Sequence, residues 1–215
     1  MASCTEPAKN CTLCPRLAQF RAENRAQYPG YHNAPVPSFG SDDPQLLIVA
    51  LAPSLEGGNK TGRPFTGDSG ALLYGTLDKL GLTRGANGNC ASDGYQLVDT
   101  RITNAIRCVP PKNKPTPQEF AACNRFFAAE IATLRRLQVI IALGKDAHEQ
   151  VIKTCDLKQK DYAFGHGCRH TLPLHGRTVA LIDSFHCSRY NLNTKRLTPE
   201  MFEAVFVQAQ QLMRA

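Results

Sequence analysis

Short apolar runs alternate along the chain with stretches of helical periodicity. "QLLIVALAP", from Gln45, is a continuous apolar run closed by a polar loop, the pattern of a strand buried on both faces. "RITNAIRC" from Arg101, "VIIALG" from Val139 and "TVALIDSFH" from Thr178 repeat it. Between these runs, apolar residues recur at three- and four-residue spacing. Residues 14–28 read as a helix around Leu17 and Phe20. Residues 69–80 carry Leu72, Leu73, Leu77 and Leu80 and stop at Gly81. Thr116, Pro117 and Glu119 form a helix start with a capping box, and that helix extends to about Arg136. A short helix follows from Lys145, and Thr198, Pro199 and Glu200 open the last one. Proline and glycine punctuate residues 29–43, which read as an irregular surface stretch.

Strands that alternate with helices imply βαβ units, a mostly parallel sheet and helices on both its faces. No repeat and no second domain interrupts the pattern, so residues 1–215 are expected to form one domain. In such sheets ligands bind beyond the carboxyl ends of the strands. Three polar motifs fall there: the loop "APSLEGGNKTGRPFTGDSG" from Ala52, Asn104, and "SFHCS" from Ser184.

Composition narrows the class. With 215 residues, 42% of them hydrophobic, the chain can build one ordinary core. Its longest apolar run is too short for a bilayer, and no secretory signal opens it, so a cytosolic location without a membrane partner is expected. A net charge of +7 suits a polyanion, because neutralising phosphates releases counterions. Nine cysteines without signs of secretion point to metal binding or reduced thiols. Cys11 and Cys14 form a C-x2-C pair, and Cys108 and Cys123 flank a proline-rich connection. A close pair plus two distant cysteines can supply four thiolates to one centre, and ligand count leaves zinc and an iron–sulfur cluster both open. Cys4, Cys90, Cys155, Cys168 and Cys187 share no such pattern.

The loop after the first strand is neither a Walker motif nor a dinucleotide fingerprint. Phe65 within it is either a core anchor or a stacking platform for a base. The Asn104 amide offers the donors and acceptor that a pyrimidine edge requires, or caps a strand end. His186, ahead of the polar loop "SRYNLNTKR", can donate to developing anionic charge. His166 and His170, in "FGHGCRH", can order a loop.

Taken together, "LAPSLEGGNKTGRPFTGDSG", "ITNAIRCVPPKNKPTP" and "SFHCSRYNLNTKRLT", with the four cysteines, resemble family 5 of the uracil-DNA glycosylases. The resemblance runs from about Cys11 to the final helix. Family 4 usually has Glu in "GEAPG", where this chain has Leu51 and Ala52 before Pro53. The resemblance implies a three-layer α/β/α sandwich with a four-stranded parallel sheet, and a [4Fe-4S] cluster on Cys11, Cys14, Cys108 and Cys123. It implies that Phe65 stacks on a flipped base, that Asn104 reads the uracil edge and that His186 bonds the departing base, with Ala52 beside it. The loop after His186, with Ser188, Arg189, Tyr190, Lys195 and Arg196, would meet DNA, Tyr190 as a wedge. One departure stands out: Cys187 occupies the family's usual proline position after the histidine.

The implied reaction is hydrolysis of the N-glycosidic bond of uracil in double- or single-stranded DNA, with other deaminated bases such as hypoxanthine as further candidates. A monomer working at the nucleoid is expected. With no carboxylate at Ala52, Asn59 is the first candidate for positioning water and Asp68 the second, unless Asp68 caps the following helix. The rival readings are a uracil-restricted enzyme like family 4 and a zinc-bound nucleic-acid module without catalysis.

Overall fold

The computed structural model describes residues 5–214, without the side chains of Asp68 and Arg214. Cys4 lies outside the described residues. Four strands run parallel at the centre: β2 (Leu46–Ala50), β5 (Thr100–Asn104), β6 (Val139–Leu143) and β8 (Arg177–Ser184). These are the four expected strands, and the expected four-stranded sheet is corrected to six. An antiparallel strand borders each edge: β1 (Phe39–Gly40) beside β5 and β7 (Arg169–Leu174) beside β8, giving the order β1-β5-β2-β6-β8-β7. A separate small ladder joins β3 (Thr83–Arg84) to β4 (Gln96–Leu97).

Side-chain alternation builds the three layers. Leu46 and Ile48 of β2 face one side and pack with α3 (Asp68–Lys79) and α7 (Pro199–Arg214), through Leu73, Leu77, Phe202 and Phe206. Leu47 and Val49 face the other side and meet α4 (Pro117–Thr133) and α5 (Lys145–Thr154), through Phe127, Ile131, Val151 and Ile152. Every residue of β2 and β6 is buried, as continuous apolar runs require of central strands. The capping box of α4 is present: Thr116 Oγ1 accepts from Glu119 N, and Glu119 Oε2 accepts from Thr116 N.

Residues 29–43 are irregular except for β1, and they are not only a surface stretch. Asn33, Ala34 and Val36 are buried, because this segment crosses the site end of the sheet. Its amides are satisfied there: Asn33 N donates to Asn59 O at 3.2 Å and Val36 N to Arg107 O at 2.7 Å. Likewise, the polar stretch after His186 contains a short helix, α6 (Arg189–Asn193), whose Asn191 N donates to the Ser188 side chain. Among the described residues no helix is long and apolar enough to cross a membrane.

Candidate active site

The carboxyl ends of β2, β5 and β8 open onto one cavity of about 510 Å³. Its wall includes Ala52, Gly57, Phe65, Asn104, His186 and Arg189. Parallel pairing puts Ala50 level with Asn104, and Ala105 N and Ile106 N then donate to Ala50 O and Leu51 O. The loop after β2 and the end of β5 are thus tied as one surface.

The loop can take its course because glycine lets backbones touch. A Cβ at Gly57 would lie 2.3 Å from Thr66 O, and one at Gly70 only 1.5 Å from Phe65 O. Phe65 itself sits at φ +57°, a left-handed conformation that bulky residues rarely adopt. That strain aims an aromatic ring into the cavity, where it stacks against His186 with centroids 5.8 Å apart. Arg63 anchors the strained turn. It is 1% exposed, pairs with Asp93 at 2.7 Å, and lies among the rings of Phe39, Tyr74 and Tyr95. Nothing in the local pattern around Arg63 reveals this role, because Asp93 lies thirty residues away.

Asn104 is 2% exposed, and its Nδ2 has no hydrogen-bond partner. An unpaired buried donor costs about 1–3 kcal/mol, so this amide is open to pair with water or with a ligand in the cavity. His186 is half-buried, and its surroundings hold its pKa below the ordinary imidazole value. The cause is desolvation, which disfavours the imidazolium. The ring is therefore a neutral donor near pH 7.

Several expected participants stand elsewhere. Asn59 does not line the cavity. It belongs to the single-turn helix α2 (Gly58–Thr61), is 3% exposed, and its Nδ2 donates to Asn33 Oδ1 at 2.8 Å. Its amide joins the loop to the crossing segment. Asp68 is the first residue of α3, behind an N-cap at Gly67, and its side chain lies outside the described part. Cys187 is fully buried, and its Sγ donates to Ser69 O at 3.3 Å. A thiol hydrogen bond to α3 thus pins the segment where a proline would stiffen it. Ser188 starts α6, Arg189 reaches the cavity, and Tyr190 is 71% exposed beside it. Lys195 and Arg196 are exposed, and the Arg196 guanidinium covers Phe185 at 4.6 Å.

The four cysteines converge. Cys14 caps α1 (Pro15–Gln27), Cys108 follows β5, and Cys123 lies in the second turn of α4. With Cys11 they line one apolar pocket with Leu17, Ile106 and Phe126, and Ala52 packs against the same group. Burial and the neighbouring cysteines push Cys14 up to about 11, and burial pushes Cys108 up to about 12. Four thiolates in such a place need a cation, and Arg21, 3.4 Å from Cys108 Sγ, supplies only one charge. The donor set therefore fits a metal centre. Ligand type and number suit a zinc ion and an iron–sulfur cluster alike.

Residues 37–210 match the family model described as the uracil DNA glycosylase superfamily. A type-5 uracil-DNA glycosylase of Thermus thermophilus is 42% identical over 94% of this chain and 93% of its own length. One from Pyrobaculum aerophilum is 36% identical, over 93% and 88%. A type-4 uracil-DNA glycosylase of Thermotoga maritima is 35% identical, but over 66% of this chain and 61% of its own. A cavity floored by an unpaired asparagine, walled by a strained phenylalanine and a neutral histidine, thus stands in a chain that belongs to the uracil-DNA glycosylase superfamily, in its type-5 branch.

Proposed function

We propose that this chain hydrolyses the N-glycosidic bond between uracil and deoxyribose in DNA, leaving an abasic site. The carrying observation is the buried, unpaired Nδ2 of Asn104 on the wall that also bears Phe65 and His186. An amide donor with no protein partner is matched by a carbonyl of the uracil edge. The duplex hides the scissile bond, so the nucleotide is extruded, at a cost of a few kcal/mol. Single-stranded DNA spares that cost and is also a substrate. Other deaminated bases that present a carbonyl, hypoxanthine among them, fit the same recognition.

As the bond breaks, positive charge grows on the sugar and negative charge on the base. Phe65 holds the base by stacking, Asn104 fixes its edge, and neutral His186 donates to the oxygen where charge develops. A strongly dissociative step asks little of a general base, which explains how Ala52 can stand where a carboxylate would be expected. Water then captures the sugar cation. Asn59 has its amide directed to Asn33, which leaves Asp68 as the candidate for orienting that water.

Ser188, Arg189, Tyr190, Lys195 and Arg196 meet the DNA, with exposed Tyr190 entering the space that the base vacates. Cys11, Cys14, Cys108 and Cys123 hold a [4Fe-4S] cluster, whose four cysteine ligands leave no open position and whose contribution is to cross-link α1, α4 and the end of β5. One chain supplies the whole wall, so the enzyme acts as a monomer, at the nucleoid where its substrate lies. A zinc module without catalysis has no use for the unpaired amide. Incubation with a labelled uracil-containing duplex, then alkali, tests the proposal: strand cleavage at the uracil is expected, and an intact strand would reject it. A hypoxanthine duplex in parallel separates broad from uracil-restricted excision.

A further inference from the structure

The backbone around His186 is held from several elements. Ser184 O accepts from Gly144 N at 2.8 Å, and His186 O accepts from Asn191 Nδ2 at 2.8 Å. Cys187 Sγ reaches Ser69 O. A further tie comes from a loop outside the cavity wall: Phe185 N donates to Nδ1 of His166 at 3.1 Å. The two rings also stack, with centroids 5.0 Å apart and planes 18° inclined.

His166 is itself firmly placed. Gly167 N donates to Asp183 O at 2.8 Å, Asp183 N donates to Cys168 O at 3.0 Å, and Gly165 N reaches Asp183 Oδ2 at 3.3 Å. Asp183 therefore grips both flanks of His166 while standing three residues before His186 on β8. Its other carboxylate oxygen bonds His148 Nδ1 at 2.7 Å, and His148 Nε2 bonds Tyr162 O at 2.9 Å. Both His148 nitrogens thus face acceptors, an arrangement that favours the imidazolium beside Asp183. Burial alone would lower the His148 pKa, but the hydrogen bond and charge of Asp183, with the Tyr162 carbonyl, together outweigh burial and raise it. His170 Nε2 adds a second imidazole 3.4 Å from Asp183 Oδ2. The buried pair is a footing for residues 163–168.

We infer that His166 is a positioning residue for base excision: through the Phe185 N–H and ring it sets the direction in which the His186 imidazole meets the base. Accepting from Phe185 requires an Nδ1 without a proton. Burial keeps the His166 pKa below the usual imidazole value, which leaves that nitrogen available. The inference rests on the assignment of His186 to the departing base.

The test pairs two variants. His166→Phe keeps a ring against Phe185 and deletes the acceptor; His166→Asn puts an amide oxygen near the position of Nδ1. Single-turnover excision of a uracil duplex should fall about ten- to hundred-fold in His166→Phe, the scale of a small misplacement of a reacting group. Affinity for an abasic-site duplex should be unchanged, and His166→Asn should recover most of the rate. Equal losses in both variants, or a rate loss matched by lost affinity in both, would overturn the inference by showing a structural role alone. A wild-type rate for His166→Phe beside a slow His186→Ala would also overturn it. A normal rate for His186→Ala would instead remove the assignment on which it stands.

Discussion

Phe65 and His186 lie ring over ring across the cavity mouth, 5.8 Å between centroids and 26° between planes. They follow β2 and β8, the two strands that flank β6, and meet because parallel strands end at the same edge. On the proposed reading, a base stacked on Phe65 arrives beside a neutral histidine.

Removing that histidine should cost roughly 3–4 kcal/mol of transition-state stabilisation, the loss seen for one well-placed donor, or about 10²–10³ in rate. Single-turnover rates for His186→Ala on a uracil duplex measure it. The pH dependence follows from the lowered pKa. In the folded protein the ring is neutral above its lowered pKa and becomes an imidazolium only as pH falls through that value, below the ordinary value near 6.5. The acid limb of excision should lie below 6.5 in the wild type and be absent from the residual rate of His186→Ala.

Asn104→Ala should slow excision by about 1–3 kcal/mol, the scale of a lost specific base contact, with duplex affinity retained. Stability should move the opposite way. The wild-type Nδ2 is buried and unpaired, so its removal relieves a desolvation cost. A variant that is slower and no less stable to heat is expected. A variant that is destabilised with normal excision would make Asn104 a structural strand cap.

Asn59→Ala should behave differently. Its Nδ2 partner is Asn33 Oδ1, both residues being buried, so the substitution orphans a polar group and costs about 1–3 kcal/mol of stability. Denaturant unfolding should register the loss, while the excision rate of the folded fraction stays close to wild type.

Protein purified without oxygen should be brown and contain iron and acid-labile sulfide. Stoichiometric zinc without iron would contradict the cluster. Cys108→Ser should bleach the protein and lower its thermal midpoint before it affects recognition of the base, since Cys108 joins the end of β5 to α1 and α4 rather than lining the cavity.

Duplex affinity should fall steeply with salt, as expected for a chain of net charge +7 that neutralises phosphates. Tyr190→Ala should reduce excision from paired DNA more than from single strands, because a wedge matters only where a stack must be kept open. Equal losses on both substrates would argue against the wedge.

The four parallel strands and their helices were legible because their signals are local. "LLIVA" and "VIIAL" bury every side chain, and Thr116 finds its capping partner three residues away. The edge strand β7 was missed although a signal existed. His175 and Gly176, both at positive φ, make a two-residue hairpin between Leu174 and Arg177. Pro173 obscured it, being tolerated only because β7 is an edge.

The sequence by itself determined the layered architecture, the identity of the four cysteines and the residue types at the strand ends, because period, capping and motif spacing act over a few residues. Only the tertiary structure decided which of those residues share a cavity. Asn59 and Phe65 stand six residues apart in one loop, yet the turn held by Arg63 sends one amide inward to Asn33 and one ring outward to His186. The partners concerned, Asn33, Asp93 and His186, are 26 to 121 residues distant, and such contacts exist only once the sheet has brought its strand ends to a common edge. The same holds for two ties on the segment around His186: Cys187 reaches Ser69 O across 118 positions and Phe185 reaches His166 across 19, and packing rather than local spacing selects them.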